Sequence, residues 1–349
     1  MSEKLQCIMP WKALFMDELD GKIMALPCCL SWIQADFGRI GTSKFIDLWN
    51  SEGAQRIRYL IAKGRQAEIC DRFCTYLQSG NHSESAIRLI NGPQMFMENQ
   101  LLNNEEIKKR QTILNSMPMF LKVLPTLRCN NRCTMCFQNH YDDIDVGPSF
   151  WQEIEAVLPY LYEITFQGGE VTLDRGFREF LRSKALRFNS HVNISLISNG
   201  TVLDDDLYES LKENRLNYII ISINAATRKT YEKITKNDFF ERVINNVERL
   251  YSLSELHPIK HFEIIVSFVV MRSNYRELPQ FMRLAKQLGA KVQLLNVIGN
   301  REGEDVFIRK DLHNDLLYIL TEASKVAQES ALHQIERIRK IITHEMDIS

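Results

Sequence analysis

The sequence predicts an α/β fold: an open, partial (β/α)6 TIM-like barrel, with a small cysteine-bearing region before it and helices after it. Three observations carry this. Six apolar, β-leaning segments recur between residues 117 and 300, separated by stretches whose apolar residues have helical spacing. That span of roughly 180 residues suits six β/α units, where a closed eight-unit barrel takes about 250. Each segment runs into cysteine, glycine or small polar residues, and parallel β/α folds collect their reactive groups at the carboxyl ends of strands.

Residues 1–82 form the first region and contain Cys7, Cys28, Cys29, Cys70 and Cys74. Residues 83–116 read as a helical linker broken at Gly92-Pro93. Within the barrel region, 117–300, strands are expected over 119–127, 162–166, 192–197, 217–223, 262–270 and 291–297. Phe150, Ile154, Val157 and Leu158 share a helical face after the first strand. Leu278, Phe281, Ala285 and Leu288 mark a helix stopped by Gly289. Residues 301–349 turn helical, with Leu312, Leu316, Ile319 and Ala323 on one face and Leu332, Ile335, Ile338 and Ile342 on another.

The 349 residues carry 43 basic and 44 acidic side chains, a net charge of −1 that gives no reason to expect a nucleic-acid or acidic-membrane partner. The longest apolar run, Ile23 to Ile33, is too short to span a bilayer, and the amino terminus has no apolar signal core. The chain is read as cytoplasmic. Its 8 cysteines are too sparse for a secreted disulfide scaffold and they cluster, which points to metal chemistry.

The second cluster is Cys129-Asn-Asn-Arg-Cys133-Thr-Met-Cys136, which places three thiols in one short segment after the first strand. Three soft thiolates suit an iron–sulfur cluster, and a four-iron cluster so held keeps one iron open to a small molecule. The competing reading is a zinc knuckle completed by His140, or buried thiols. Strand two leads to Gly168, Gly169 and Glu170, strand three to Ser198, Asn199 and Gly200, and strand four to Ser222 and Asn224. Strand five leads to Arg272, whose competing roles are an anion contact and an ordinary ion pair; strand six ends at Asn296 and Gly299.

From about Pro118 to Gly299 the chain resembles the radical S-adenosylmethionine (SAM) superfamily. The Cys129, Cys133, Cys136 spacing and the Gly168-Gly169-Glu170 element carry the resemblance. It implies that the three cysteines hold a 4Fe–4S cluster whose open iron chelates SAM, and that the glycine-rich turn receives the SAM amino group. It further implies that Ser198, Asn199, Ser222 and Asn224 hold the ribose and carboxylate. One departure is Met135, where the family often has an aromatic residue; a flexible thioether there is expected to pack against adenine. The implied activity is reductive SAM cleavage to a 5′-deoxyadenosyl radical and hydrogen abstraction from an organic substrate. The implied partners are a small-molecule or peptide substrate and an electron donor such as flavodoxin or ferredoxin. No separate leader-peptide-binding segment is visible before the barrel, which favours a small metabolite.

Residues 7 to 74 resemble a SPASM-type auxiliary-cluster domain, through Cys7, Pro10-Trp11, Gly21, Pro27-Cys28-Cys29, Trp49 and the Cys70, Cys74 pair. The domain usually follows the barrel and here precedes it. Three residues separate Cys70 from Cys74 where the family often has two. The resemblance implies one auxiliary 4Fe–4S cluster on Cys7, Cys28, Cys70 and Cys74, with Cys28 and Cys29 as alternative ligands. Full thiolate ligation makes it an electron carrier or a structural element, and a redox role points toward an oxidoreductase; zinc on the same four cysteines is the alternative. Trp11 and Trp49 are expected in the core, and His140, His257 and His261 on the surface or in loops.

Overall fold

The computed structural model describes residues 5, 7–19, 21–28, 36–41, 44–70, 89–136, 146–297 and 303–347, with 344–347 as backbone alone. Cys29, Cys74, His140 and Gly299 lie outside the described residues. The chain divides into two compact units, Met1–Arg128 with Asp142–Ser195, and Cys129–Tyr141 with Leu196–Ser349. The fold is α/β with a mostly parallel sheet, as the sequence predicts.

In the first unit, α1 (Met9–Lys12) leads into β1 (Ala13–Leu19), which turns through Gly21 into the antiparallel β2 (Lys22–Leu26). Gly21 has φ 73°, a left-handed turn conformation that costs glycine least. β3 (Gly38–Arg39) adds to β2. This hairpin is an addition to the sequence reading, which assigned no strands before residue 117. β1 also pairs in parallel with β4 (Phe120–Val123), Leu14 opposite Leu121, and β4 pairs in parallel with β5 (Glu163–Phe166). β4 is shorter than expected, because Pro125 has no N–H to give to a ladder.

The first unit's helices are α2 (Phe45–Trp49), α3 (Glu52–Ala62), α4 (Gln94–Lys108), α5 (Pro148–Val157), α6 (Arg175–Leu181) and α7 (Lys184–Phe188). Arg58 of α3 is completely buried. Its guanidinium donates to the carbonyls of Pro10 (2.9 Å), Trp49 (2.8 Å) and Thr112 (2.9 Å) and lies 4.5 Å from the centre of the Trp49 ring. Burial pulls its pKa down to about 9, against the opposing pull of Glu106, which leaves it charged at neutral pH. Trp11 and Trp49 are buried as expected, and their indole N–H groups donate to the carbonyls of Gln111 and Ser116. α4 begins right after Pro93, at the expected break, but turns a polar face inward: Asn99, Gln100, Asn103, Asn104 and Glu106 are buried. Glu106 accepts from the Asn115 N–H (2.6 Å) and the Ser116 hydroxyl (2.5 Å), and Asn103 donates to the Trp11 carbonyl (2.6 Å).

β6 (Asn193–Ser198) contributes residues to both units. In the second unit β7 (Leu216–Ser222), β8 (Glu263–Val270) and β9 (Lys291–Asn296) are parallel neighbours. Its helices are α8 (Asp205–Lys212), α9 (Arg228–Thr235), α10 (Phe240–Leu256), α11 (Leu278–Gln287), α12 (His313–Ser324) and α13 (Glu329–Asp347). All six expected barrel strands are thus present, each followed by helix. The last two helices bury Leu316, Leu320 and Ala323, and Ala331, Ile335, Ile338 and Ile342; Leu332 is exposed, one position off the predicted face. Among the described residues no helix is long and apolar enough to cross a membrane.

Candidate metal centre and cofactor site

The segment Cys129–Cys136 has no helix or strand of its own, so its shape is imposed by what it bonds to. Two backbone N–H groups dock it on the end of α9: Arg132 donates to the Thr235 carbonyl and Thr134 to the Ile234 carbonyl, both at 2.9 Å. Asn237, just past that helix, donates through Nδ2 to the Asn130 carbonyl (2.5 Å) and to Asn131 Oδ1 (3.0 Å). On another side Asn130 Nδ2 donates to Thr201 Oγ1 (2.8 Å) and Asn199 Nδ2 to Asn130 Oδ1 (2.8 Å). Asparagines thus replace the missing secondary structure and hold the loop from β6 and from α9.

Cys129, Cys133 and Cys136 are all half-buried. The Cys129 sulfur faces two donors, the Asn131 N–H at 3.4 Å and Asn199 Nδ2 at 3.7 Å. The Cys133 thiol is pushed up to about 12, by burial first and then by the charges of Cys136 and Cys129. Such a thiol keeps its proton at neutral pH unless a cation displaces it, and metal binding does that. Donors aimed at one sulfur, and a half-buried thiol that needs cationic charge to ionise, fit a thiolate-bound cluster. Among the described residues no three Cys, His, Asp or Glu side chains are grouped as around one metal ion. A multi-iron cluster, which takes its ligands on separate irons, does not require that spacing. Tyr231 of α9 is fully buried beside this loop, and burial raises its phenol to about 12.

Met135 packs with Ile234, Met271, Val297 and Val269, an apolar patch at the ends of α9, β8 and β9. Ser198 and Asn199 are buried at the end of β6; the Ser198 hydroxyl accepts from the Gly200 N–H (3.0 Å). Ser222 is half-buried and its hydroxyl accepts from Ser267 (3.2 Å). Asn224 is buried in the left-handed region, φ 61°, and its Oδ1 accepts the Val269 N–H (2.8 Å). Asn274 donates to the Asn224 carbonyl and accepts from the Met271 N–H, both at 2.8 Å. Arg272 is exposed, and its backbone N–H donates to the Glu304 carbonyl (2.9 Å).

In the first unit, Gly168 and Gly169 lie against the chain that follows β4. A Cβ on Gly169 would sit 2.2 Å from the Arg128 carbonyl oxygen, and one on Gly168 2.4 Å from that of Thr126. The glycines therefore permit a close backbone contact within the protein itself. The Gly169 and Glu170 N–H groups donate to the Thr126 (2.9 Å) and Arg128 (2.6 Å) carbonyls. The Glu170 carboxylate is buried and accepts from the Thr172 N–H and hydroxyl, at 3.1 and 2.6 Å.

Cys7 precedes α1, Cys28 follows β2, and Cys70 follows a short 3-10 turn at Gln66–Glu68; each is half-buried. Cys74, the fourth expected ligand, and Cys29, the alternative to Cys28, lie outside the described residues. Sequence reasoning missed Asn130, Thr201, Tyr231 and Asn237, whereas Asn274 stands among the polar residues at the end of strand five. Asn130-Asn131 stands inside the cysteine motif as a visible signal, but its partners lie 69 to 107 residues away.

The pattern of the Radical SAM superfamily matches residues 123–298, and that of the SPASM iron–sulfur cluster-binding domain matches residues 7–75. Those two domains imply 4Fe–4S clusters and SAM as cofactors. A probable GTP 3′,8-cyclase of Methanocaldococcus jannaschii is 29% identical over 187 residues, 52% of this chain and 60% of that protein. A probable GTP 3′,8-cyclase of Pyrococcus abyssi is 30% identical over 229 residues, 63% of this chain and 70% of that protein. In three dimensions the chain is similar to SuiB of Streptococcus suis bound to S-adenosylmethionine, with a TM-score of 0.51 at 14% identity, covering 89% of this chain and 69% of that one. That likeness concerns the fold. With the superfamily pattern matching just over half of the chain, from the end of β4 through β9, the chain belongs to the radical SAM superfamily.

Proposed function

We propose that this radical SAM enzyme cleaves SAM reductively and abstracts a hydrogen atom from a small organic substrate, with a second cluster assisting the electron balance. The observation that carries the proposal is the three-thiol loop, braced by side-chain amides with two donors turned toward one sulfur. Cys129, Cys133 and Cys136 would hold the SAM-binding cluster. When bound, the cluster and SAM supply an electron and a 5′-deoxyadenosyl radical, while the protein positions them and excludes competing reactions. Gly168, Gly169 and Glu170 would receive the amino group of SAM, and Ser198, Ser222 and Asn224 its ribose and carboxylate. Met135, half-buried and backed by Met271 and Val297, would offer adenine an apolar face.

In this reading residues 1–82 work as the auxiliary domain, with Cys7, Cys28, Cys70 and Cys74 as ligands. Residues 83–116 link it to the barrel at 117–300, and helices close the chain at 301–349. An oxidoreductase outcome follows if the auxiliary cluster takes an electron from the substrate radical. The cyclase relatives favour a small molecule over a peptide. A flavodoxin or ferredoxin would supply the first electron, in the cytoplasm. The test is anaerobic reconstitution followed by reduction with SAM present. The wild type is expected to release 5′-deoxyadenosine and Cys133→Ala to release none. Normal cleavage by the variant would overturn the site, and bound zinc without sulfide would support a non-catalytic scaffold instead.

A further inference from the structure

We propose that Asn199 is a positioning residue for Cys129 rather than a ligand of SAM. It fixes the cysteine loop and donates to the ligand sulfur, and so sets the reduction potential of the cluster. The inference rests on the reading that Cys129, Cys133 and Cys136 hold that cluster.

Asn199 is only 8% exposed, and both ends of its amide are engaged within the protein. Its Oδ1 accepts from the Thr201 N–H (2.9 Å) and the Thr201 hydroxyl (2.7 Å). Its Nδ2 donates to Asn130 Oδ1 (2.8 Å) and lies 3.7 Å from the Cys129 sulfur. An amide nitrogen has two hydrogens, and two acceptors are in place for them. The opposite flip would set the NH2 group against the Thr201 N–H, so the environment dictates the orientation. The turn beneath it is equally constrained. Gly200 has φ +72°, and a Cβ there would lie 2.7 Å from the Ile221 side chain. Asn246 Nδ2 donates to the Gly200 carbonyl at 2.8 Å. Asn130 completes the brace by donating back to Thr201. No donor of the Asn199 amide is left over for a ribose hydroxyl or a carboxylate.

The electrostatic consequence has a definite sign. A reduced cluster carries one more electron than an oxidised one, and its thiolate sulfurs share that charge. A donor pointed at such a sulfur stabilises the reduced form more, so it raises the potential. Removing the donor lowers it.

Asn199→Asp tests this directly, because it keeps the oxygen that accepts from Thr201 and replaces the donor by an acceptor. The reconstituted full chain would be followed by an EPR-monitored redox titration, reading the cluster whose signal changes when SAM is added. The expected result is a shift to a more negative potential with SAM affinity changed less than twofold. An unchanged potential together with a tenfold or greater loss of SAM affinity overturns the proposal and returns Asn199 to the SAM site. Should Asn199→Asp hold no cluster, Thr201→Val decides. It removes the hydroxyl that orients the amide and should move the potential the same way by a smaller amount; no movement overturns the proposal. Failure of the underlying reading looks different, since the wild type would then show no SAM-responsive EPR signal.

Discussion

The two cysteine regions solve the same problem by opposite means. At residues 129–136 three sulfurs arrive within eight consecutive positions, and side-chain amides from β6 and from beyond α9 clasp the loop. At residues 7–70 the sulfurs come from three separate places, before α1, after β2 and after a 3-10 turn. What orders that region is a small core around the buried Arg58, whose guanidinium gathers the Pro10, Trp49 and Thr112 carbonyls. The first arrangement is local and its spacing stands in the sequence. The second exists only once the tertiary structure exists.

The comparison breaks most visibly at the cysteines. Cys28→Ala should leave 5′-deoxyadenosine formation in place while removing about four of about eight irons per chain, read by iron and sulfide assay. Cys29→Ala should change neither; the reverse pattern would exchange their roles. A smaller effect is expected at Arg58. Arg58→Leu leaves three carbonyls and the Asn50 side chain without their donor and should cost about 3–5 kcal/mol, measured by urea unfolding. A change under about 1 kcal/mol would deny Arg58 its central place.

The smallest effect concerns Lys12, which is buried with its ammonium 3.2 Å from Asn104 Oδ1. Burial lowers its pKa from 10.5 to about 8. Between those values the unfolded chain binds the proton that the folded chain has released, so stability should rise with pH there. The rise is up to about 3 kcal/mol, and below the lower value the full cost of burying the cation persists. Lys12→Met should flatten the profile, as read from urea midpoints on either side of pH 8. A profile equally steep in the variant would assign the effect to another group.

The strands were legible because their apolar residues alternate or run continuously; five of the six fall within about two residues of expectation, and Pro125 explains the sixth. The hairpin β1–β2 was not, since Gly21 carries no strand signal of its own and stands only as one residue of the auxiliary-domain motif. α4 misleads a periodicity reading, because it buries Asn99, Asn103 and Glu106 while exposing Leu101 and Leu102. The cysteine motif and the strand-end polar residues were legible by type and order. Their partners were not. Asn199 bonds to a residue 69 positions away and Asn224 to one 45 away, and no local pattern announces such pairs.

The parallel pairing of β1 with β4 has a practical consequence. Cutting away residues 1–82 would strip one side of β4 and leave its backbone donors and acceptors bare. Such a truncated chain would offer a ready template for strand addition by its neighbours, and it should clump rather than yield a minimal catalytic core.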